Sequence, residues 1–141
     1  MLPRERIAKA LARDVGSGRP ALVAYITAGF PEPREFLKQL RSVASAADAV
    51  EIGVPFSDPM ADGVTIQRSS QVAIEKGVSL RWILDELARR DYELEAPVLL
   101  MSYLNPLLAF GGSSDENASG YGELAARAAQ VGVSGFIVPD L

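Results

Sequence analysis

Short apolar runs alternate along this sequence with longer segments of helical period, and few folds accept that rhythm. It is the pattern of parallel strands joined by crossover helices. Residues 3–15 open with a proline suited to a first helical turn, and Ile7, Ala8, Leu11 and Val15 recur on one face. The spacing then predicts a strand over 21–27, a helix marked by Phe36, Leu37, Leu40, Val43 and Ala44, and a second strand over 49–53. A loop punctuated by Pro and Gly follows at 54–63, then a helix over 66–76 stopped by Gly77. Ser79 is a candidate cap for the next helix, whose buried face is Leu80, Ile83, Leu84 and Leu87, with Trp82 on its outer side. Strand three is expected over 97–103, a polar Gly/Ser-rich surface loop over 111–120, a helix over 122–130 that ends near Gly132, and strand four over 134–138.

Composition narrows the chemistry. At 141 residues, with 48% hydrophobic and 23% charged residues, the chain has the length and profile of one globular domain with a core. Eighteen acidic against fourteen basic residues leave a net charge of -4 and no Lys/Arg cluster that could follow a phosphate backbone, which argues against nucleic acid as a partner. With no Cys there is no disulfide or thiolate chemistry. With no His, the Ser-His-Asp and Cys-His systems, the usual zinc sites and the commonest general base are all absent. No apolar run reaches the ~20 residues that span a bilayer, and residues 1–15 are too charged for a signal peptide. A cytoplasmic, unanchored protein is expected.

In strand two, Asp48-Ala-Val-Glu-Ile-Gly-Val54, side chains alternate, so Val50 and Ile52 share one face while Ala49, Glu51 and Gly53 share the other. In a barrel the β-branched pair meets the helices and Glu51 points inward between small neighbours, with space beside it for a ligand. A carboxylate withdrawn from water exchanges its proton nearer to neutral pH. On spacing alone, Glu51 can equally be a strand-end carboxylate paired with an Arg or a backbone N–H. The loop that follows adds Asp58 and Asp62 at the C-terminal end of the strand, where barrel active sites lie. Taken alone, Asp62 reads as a turn or N-cap residue for a helix starting near Val64, and Asp58, before Pro59, as a turn residue.

The run Glu51-Ile-Gly-Val-Pro-Phe-Ser-Asp-Pro-Met-Ala-Asp-Gly63 resembles the signature of the tryptophan synthase alpha subunit family. Three further stretches agree in order and spacing: Ala24-Tyr-Ile-Thr-Ala-Gly-Phe-Pro31, Leu100-Met-Ser-Tyr-Leu-Asn-Pro106 and Gly135-Phe-Ile-Val-Pro-Asp-Leu141. The resemblance covers essentially the whole chain and about the first half of the family's length. It implies an α/β fold, the N-terminal half of a TIM (β/α)8 barrel in about four β/α units, with an extra N-terminal helix. Residues 1–141 would then be one partial barrel domain, truncated after strand four.

Members of that family cleave indole-3-glycerol phosphate to indole and glyceraldehyde 3-phosphate, with no metal or organic cofactor. The resemblance implies that Glu51 is the acid/base that protonates indole C3, and that Asp62 accepts a hydrogen bond from the indole N–H. It further implies substrate contacts at Tyr25, Thr27, Met101 and Tyr103. Val23, Tyr25 and Thr27 alternate onto one strand face, and Met101 and Tyr103 share another. For both tyrosines the other reading is core packing with a satisfied hydroxyl. The loop residues Pro55, Phe56, Ser57, Asp58 and Pro59 would meet a tryptophan synthase beta subunit, in the alpha2-beta2 tetramer expected of the full-length family.

Departures from the family pattern set further expectations. A closed (β/α)8 barrel takes ~250 residues, so a four-strand chain is expected to be a piece of a longer one, the alternative being a half-barrel that pairs with itself or with a complementing half. Its two bare sheet edges would favour self-association. The family builds its phosphate site from loops after the later strands, so ligand binding is expected to be weak, and the 111–120 stretch is longer than usual. Besides a lyase, two other classes compete. One is a non-catalytic module that docks through the 55–63 loop; the other is a Schiff-base aldolase, which needs a lysine on a strand, whereas Lys9, Lys38 and Lys76 all fall in helical segments.

Overall fold

The computed structural model describes residues 1–12, 16–111 and 120–141. Strands β1 (Val23–Thr27), β2 (Ala49–Gly53), β3 (Val98–Met101) and β4 (Val133–Ile137) form a parallel sheet in the order β1-β2-β3-β4. Helix α1 (Pro3–Ala12) precedes β1, and α2 (Phe36–Ala46), entered through a 3-10 turn at Pro33–Glu35, joins β1 to β2. Two helices, α3 (Val64–Glu75) and α4 (Leu80–Arg89), link β2 to β3, and α5 (Leu104–Ala109) and α6 (Gly120–Gln130) link β3 to β4. No helix is long and apolar enough to cross a membrane among the described residues.

Strand alternation splits the sheet into two unlike faces. Val50, Ile52, Val98 and Leu100 are buried in the core together with Phe36, Leu40 and Ala44 of α2 and Leu80, Ile83, Leu84 and Leu87 of α4. Burial of each large aliphatic side chain stabilises the fold by ~1.5–3 kcal/mol. The alternate positions Tyr25, Glu51, Leu99 and Gly135 align across the four strands in one row, and Thr27, Gly53, Met101 and Ile137 in the next. Glu51, Leu99, Met101 and Ile137 on this face are only half-buried. Helix α1 covers its lower part: a Cβ built on Gly135 would stand 3.7 Å from Ile7 Cδ1 and from Leu99 Cδ2, and Arg6 donates to the Leu94 carbonyl at 2.7 Å.

The expected strand two agrees with β2 at both ends, and the four leucine and isoleucine positions of α4 are buried as their period requires. Ser79 caps α4, its hydroxyl accepting from the Trp82 N–H at 3.1 Å. Gly77 and Gly132 sit at φ +87° and +81° beyond α3 and α6, a conformation that stops a helix and suits glycine. Other boundaries shift. β1 starts at Val23 and not at 21, because Leu22 N–H is taken at 2.7 Å by the Asp48 carboxylate in place of a strand partner. Strand three ends at Met101, and the apolar residues beyond it turn into α5. Pro106 is no obstacle to that helix, since the N–H it lacks would be unpaired in a first turn anyway. Helix α3 begins at Val64 and not at 66, α6 begins at Gly120, and β4 covers Val133–Ile137 where 134–138 is expected. Trp82 does not face outward: it is half-buried with its ring centroid 5.5 Å from that of Phe36, on the flank of the α4 stripe. Residues 13–15 of the first expected helix and most of the expected 111–120 loop lie outside the described residues.

Ser79→Ala should cost ~1 kcal/mol of stability through loss of the cap, read as a lower denaturation midpoint at unchanged slope. A midpoint equal to the parent's would mean that the Ser79–Trp82 contact carries no weight.

Candidate functional site

The half-buried face of the sheet brings four ionisable side chains together near the C-terminal ends of β1, β2 and β3. Tyr25 and Glu51 are register partners on β1 and β2. Tyr103 stands at the turn after β3 as the N-cap residue of α5, and Asp62 ends the loop between β2 and α3. Burial pushes the Tyr25 phenol up from its ordinary value, and the negative charges of Asp62 and Glu51 add to that. Those two carboxylates and both phenols therefore share one field.

Glu51 lies mid-strand and is half-buried. Among the described residues its carboxylate has neither an ion pair nor a hydrogen bond, so the pairing with an Arg or backbone N–H that a structural carboxylate would show is not there. Its neighbours along the strand face, Ala49 and Gly53, are both small. Gly53 has a second task. A Cβ built there would stand 1.9 Å from Tyr25 Oη and 2.5 Å from Cζ, so the Tyr25 ring lies directly on the glycine backbone. Glycine inside a strand often marks such a close approach, and that signal was open to a sequence reading that used Gly53 only as a small neighbour.

Asp62 does not cap α3. Gly63 is the N-cap residue and there is no side-chain cap bond. The Asp62 carbonyl instead accepts from Gln67 Nε2 at 2.9 Å, and its N–H donates to the Pro59 carbonyl at 3.2 Å. Burial raises the Asp62 pKa, and the nearby Tyr103 hydroxyl offsets part of the rise. Tyr103 is 4% exposed, with its hydroxyl satisfied by the Ala61 N–H at 2.8 Å and its own pKa raised chiefly by burial.

The remaining expected contacts are placed less uniformly. Met101 is half-buried beside Gly53 in the register. Thr27 is buried, and its hydroxyl is engaged with that of Ser69 on α3 at 2.7 Å. In the loop, Pro55 is buried, Pro59 is half-buried, and Ser57 and Asp58 are exposed and bonded to one another at 3.0 Å. Phe56 turns back and stacks on Tyr103 with ring centroids 5.2 Å apart. An apolar groove of ≈ 460 Å³ runs along the free edge of β1 past Tyr25, Ile26 and Phe30, and another of ≈ 320 Å³ lies beside β4 between Leu107, Leu124, Phe136 and Val138. No group of three or more His, Cys, Asp or Glu is arranged to hold a metal among the described residues.

Two outcomes are expected. Gly53→Ala should displace the Tyr25 ring and cost ~1–3 kcal/mol, and the Tyr25 phenol, freed from burial, should titrate lower in a tyrosine NMR titration; an unmoved phenol would contradict the contact. Asp62 has a folded pKa above its unfolded one, so its contribution to stability is complete below the ordinary Asp range and is lost as pH rises through the raised value. Asp62→Asn removes that loss, and the variant should gain on the parent in denaturation midpoint as pH rises from below the ordinary Asp range through the raised value. A difference that stays flat or falls with pH would count against burial as the cause.

Known proteins resemble this chain in sequence and in structure. The family profile described as "Tryptophan synthase alpha chain" matches residues 11–141. The tryptophan synthase alpha chain of Nitratidesulfovibrio vulgaris (strain DP4) is 44% identical over 137 residues, which are 96% of this chain and 50% of that protein. That of Desulfovibrio desulfuricans is 48% identical over 126 residues, 89% of this chain and 46% of its own. The crystal structure of tryptophan synthase subunit alpha from Legionella pneumophila str. Paris superposes with a TM-score of 0.79 at 36% identity, covering 96% of this chain and 49% of that one. A crystal structure of tryptophan synthase from M. tuberculosis gives a TM-score of 0.81 at 30% identity, with 96% and 51% covered. The chain spans about half the length of the relatives it matches. It belongs to the tryptophan synthase alpha chain family.

Proposed function

We propose that this chain supplies the acid/base carboxylates of an indole-3-glycerol phosphate lyase, an enzyme that releases indole and glyceraldehyde 3-phosphate in tryptophan biosynthesis. The observation that carries the reading is a Glu51 carboxylate with no ion pair or hydrogen bond among the described residues, which shares one field with Asp62, Tyr25 and Tyr103 toward the C-terminal side of the sheet, where barrel enzymes do their chemistry. In this reading Glu51 delivers a proton to indole C3 to give an indoleninium. Asp62 accepts a hydrogen bond from the ring N–H and offsets the positive charge. The Glu51 carboxylate left by that transfer then takes the proton of the adjacent glycerol hydroxyl, that carbon becomes a carbonyl, the C–C bond breaks, and its electron pair restores the indole. Tyr25, Thr27, Met101 and Tyr103 are read as the wall against the ring.

The same reading makes β1 to β4 the first half of an eight-stranded barrel. The apolar grooves beside β1 and β4 are where a continuing sheet and its helices would pack. The substrate phosphate would then be held by loops beyond β4, so residues 1–141 alone should bind the substrate weakly and release little indole. Pro55, Phe56, Ser57, Asp58 and Pro59 are read as the face toward a tryptophan synthase beta subunit in a cytoplasmic alpha2-beta2 complex. The exposed Ser57 and Asp58 suit that role, whereas Phe56 is spent largely on Tyr103.

A non-catalytic half-barrel that only docks on a beta subunit, or on a complementing half, is the competing reading. A Schiff-base aldolase is disfavoured, since Lys9 lies in α1, Lys38 in α2 and Lys76 at the end of α3, where its ammonium donates to the Pro31 carbonyl at 2.8 Å. The deciding experiment joins residues 1–141 to the second half of a full-length tryptophan synthase alpha chain and measures indole release. Activity should appear, and Glu51→Gln should lower it by ~10²–10⁴-fold. Undiminished turnover in that variant would remove Glu51 from the chemistry. Binding to a beta subunit with no indole release from the joined chain would favour the docking reading.

A further inference from the structure

Loop 55–63 carries Asp62, yet among the described residues it has few fixed points. Val54 N–H donates to the Met101 carbonyl at 2.8 Å where the loop leaves β2, and Gln67 holds the Asp62 carbonyl where it enters α3. Between these, Ser57, Asp58, Met60 and Ala61 are exposed, Met60 at 85%. One contact reaches the loop from a different part of the sheet, the 2.8 Å bond from the Ala61 N–H to Tyr103 Oη, and it spans 42 positions of sequence. The Asp62 carboxylate is also near enough that its negative charge resists ionisation of this phenol.

We propose that Tyr103 is the positioning residue of the acidic loop, its hydroxyl accepting from the Ala61 N–H beside the Asp62 carboxylate, so that a single phenol fixes the backbone of the loop and shares the field of its carboxylate. Its own base is rigid. Tyr103 opens α5, which is anchored through buried Leu107 and Phe110. The Asp140 carboxylate just beyond β4 accepts from Leu104 N–H at 2.9 Å, and Ser102 N–H donates to the Ile137 carbonyl at 3.0 Å. Phe56, stacked on the Tyr103 ring, presses the near end of the loop onto the same post. The loop after β2 and the turn after β3 are thereby joined at the Tyr103 side chain, and the bonds from Ser102 and Leu104 on either side of it reach β4 and the residues just beyond. The charged and titratable groups that act on this phenol are Asp62 and Asp140, with Tyr25 and Glu51 beyond them.

The role of the clamp deepens the lyase reading, but its existence is tested on the isolated chain without substrate, so failure of one is distinguishable from failure of the other. In Tyr103→Phe the ring and its stack on Phe56 remain while the acceptor is gone. Hydrogen exchange at the Ala61 amide should quicken by about tenfold, with Ile52 and Gly53 on β2 unchanged as the control for folding. The reciprocal variant leaves Tyr103 in place. In Asp62→Asn the Tyr103 phenol, followed by tyrosine ring NMR, should titrate lower, because the negative charge that resists its ionisation is lost. A merely structural tyrosine would not respond to that change. An unaltered Ala61 exchange rate overturns the backbone half of the clamp, and an unaltered phenol titration overturns the carboxylate half.

Discussion

The site depends on which face of β2 is buried. Val50 and Ile52 are wholly withdrawn from solvent against α2 and α4, and their burial forces Glu51 to the opposite face because successive residues of a strand point apart. A slip of one residue would expose both aliphatic side chains and drive an unpaired carboxylate into the apolar core. The first change forfeits several kcal/mol of burial, and the second adds a desolvation penalty of several more. Glu51 is therefore held in place by its neighbours' hydrophobicity and needs no bond of its own. A carboxylate oriented without a partner remains available to a ligand.

Asp62 is held in the opposite way, since no alternation acts on a loop and its position comes from polar contacts. The Gln67 amide, the Pro59 carbonyl and the Tyr103 hydroxyl replace what a strand would have supplied. The two carboxylates thus differ in what orients them.

How much could be read from the sequence followed the range of the interactions. The leucine and isoleucine stripe of α4, the Ser79 cap and both ends of β2 follow from periods and neighbours within a few residues, and the structure has them as expected. Strand three was read too long because Ser102 to Leu104 continue its apolar alternation, and nothing local says that Pro106 sits in a first helical turn instead of after a strand. Trp82 was read as outward because helical phase counts only its own helix, whereas Phe36 arrives from another one to cover it. The stack of Phe56 on Tyr103 is likewise invisible in the sequence, because the two rings come from segments on either side of two helices and a strand.

By itself the sequence determined the order of strands and helices, the face on which Glu51 stands, and through its long motif the family to which the chain belongs. These are local properties, carried by side-chain alternation, helical period and the identity of consecutive residues. Only the tertiary structure decided that Asp62 is no helix cap, that Tyr25 rests on Gly53, and that Tyr103 meets the backbone of the acidic loop. Those contacts join residues far apart in the chain through the register of parallel strands, and no short window of sequence encodes a distance across a sheet.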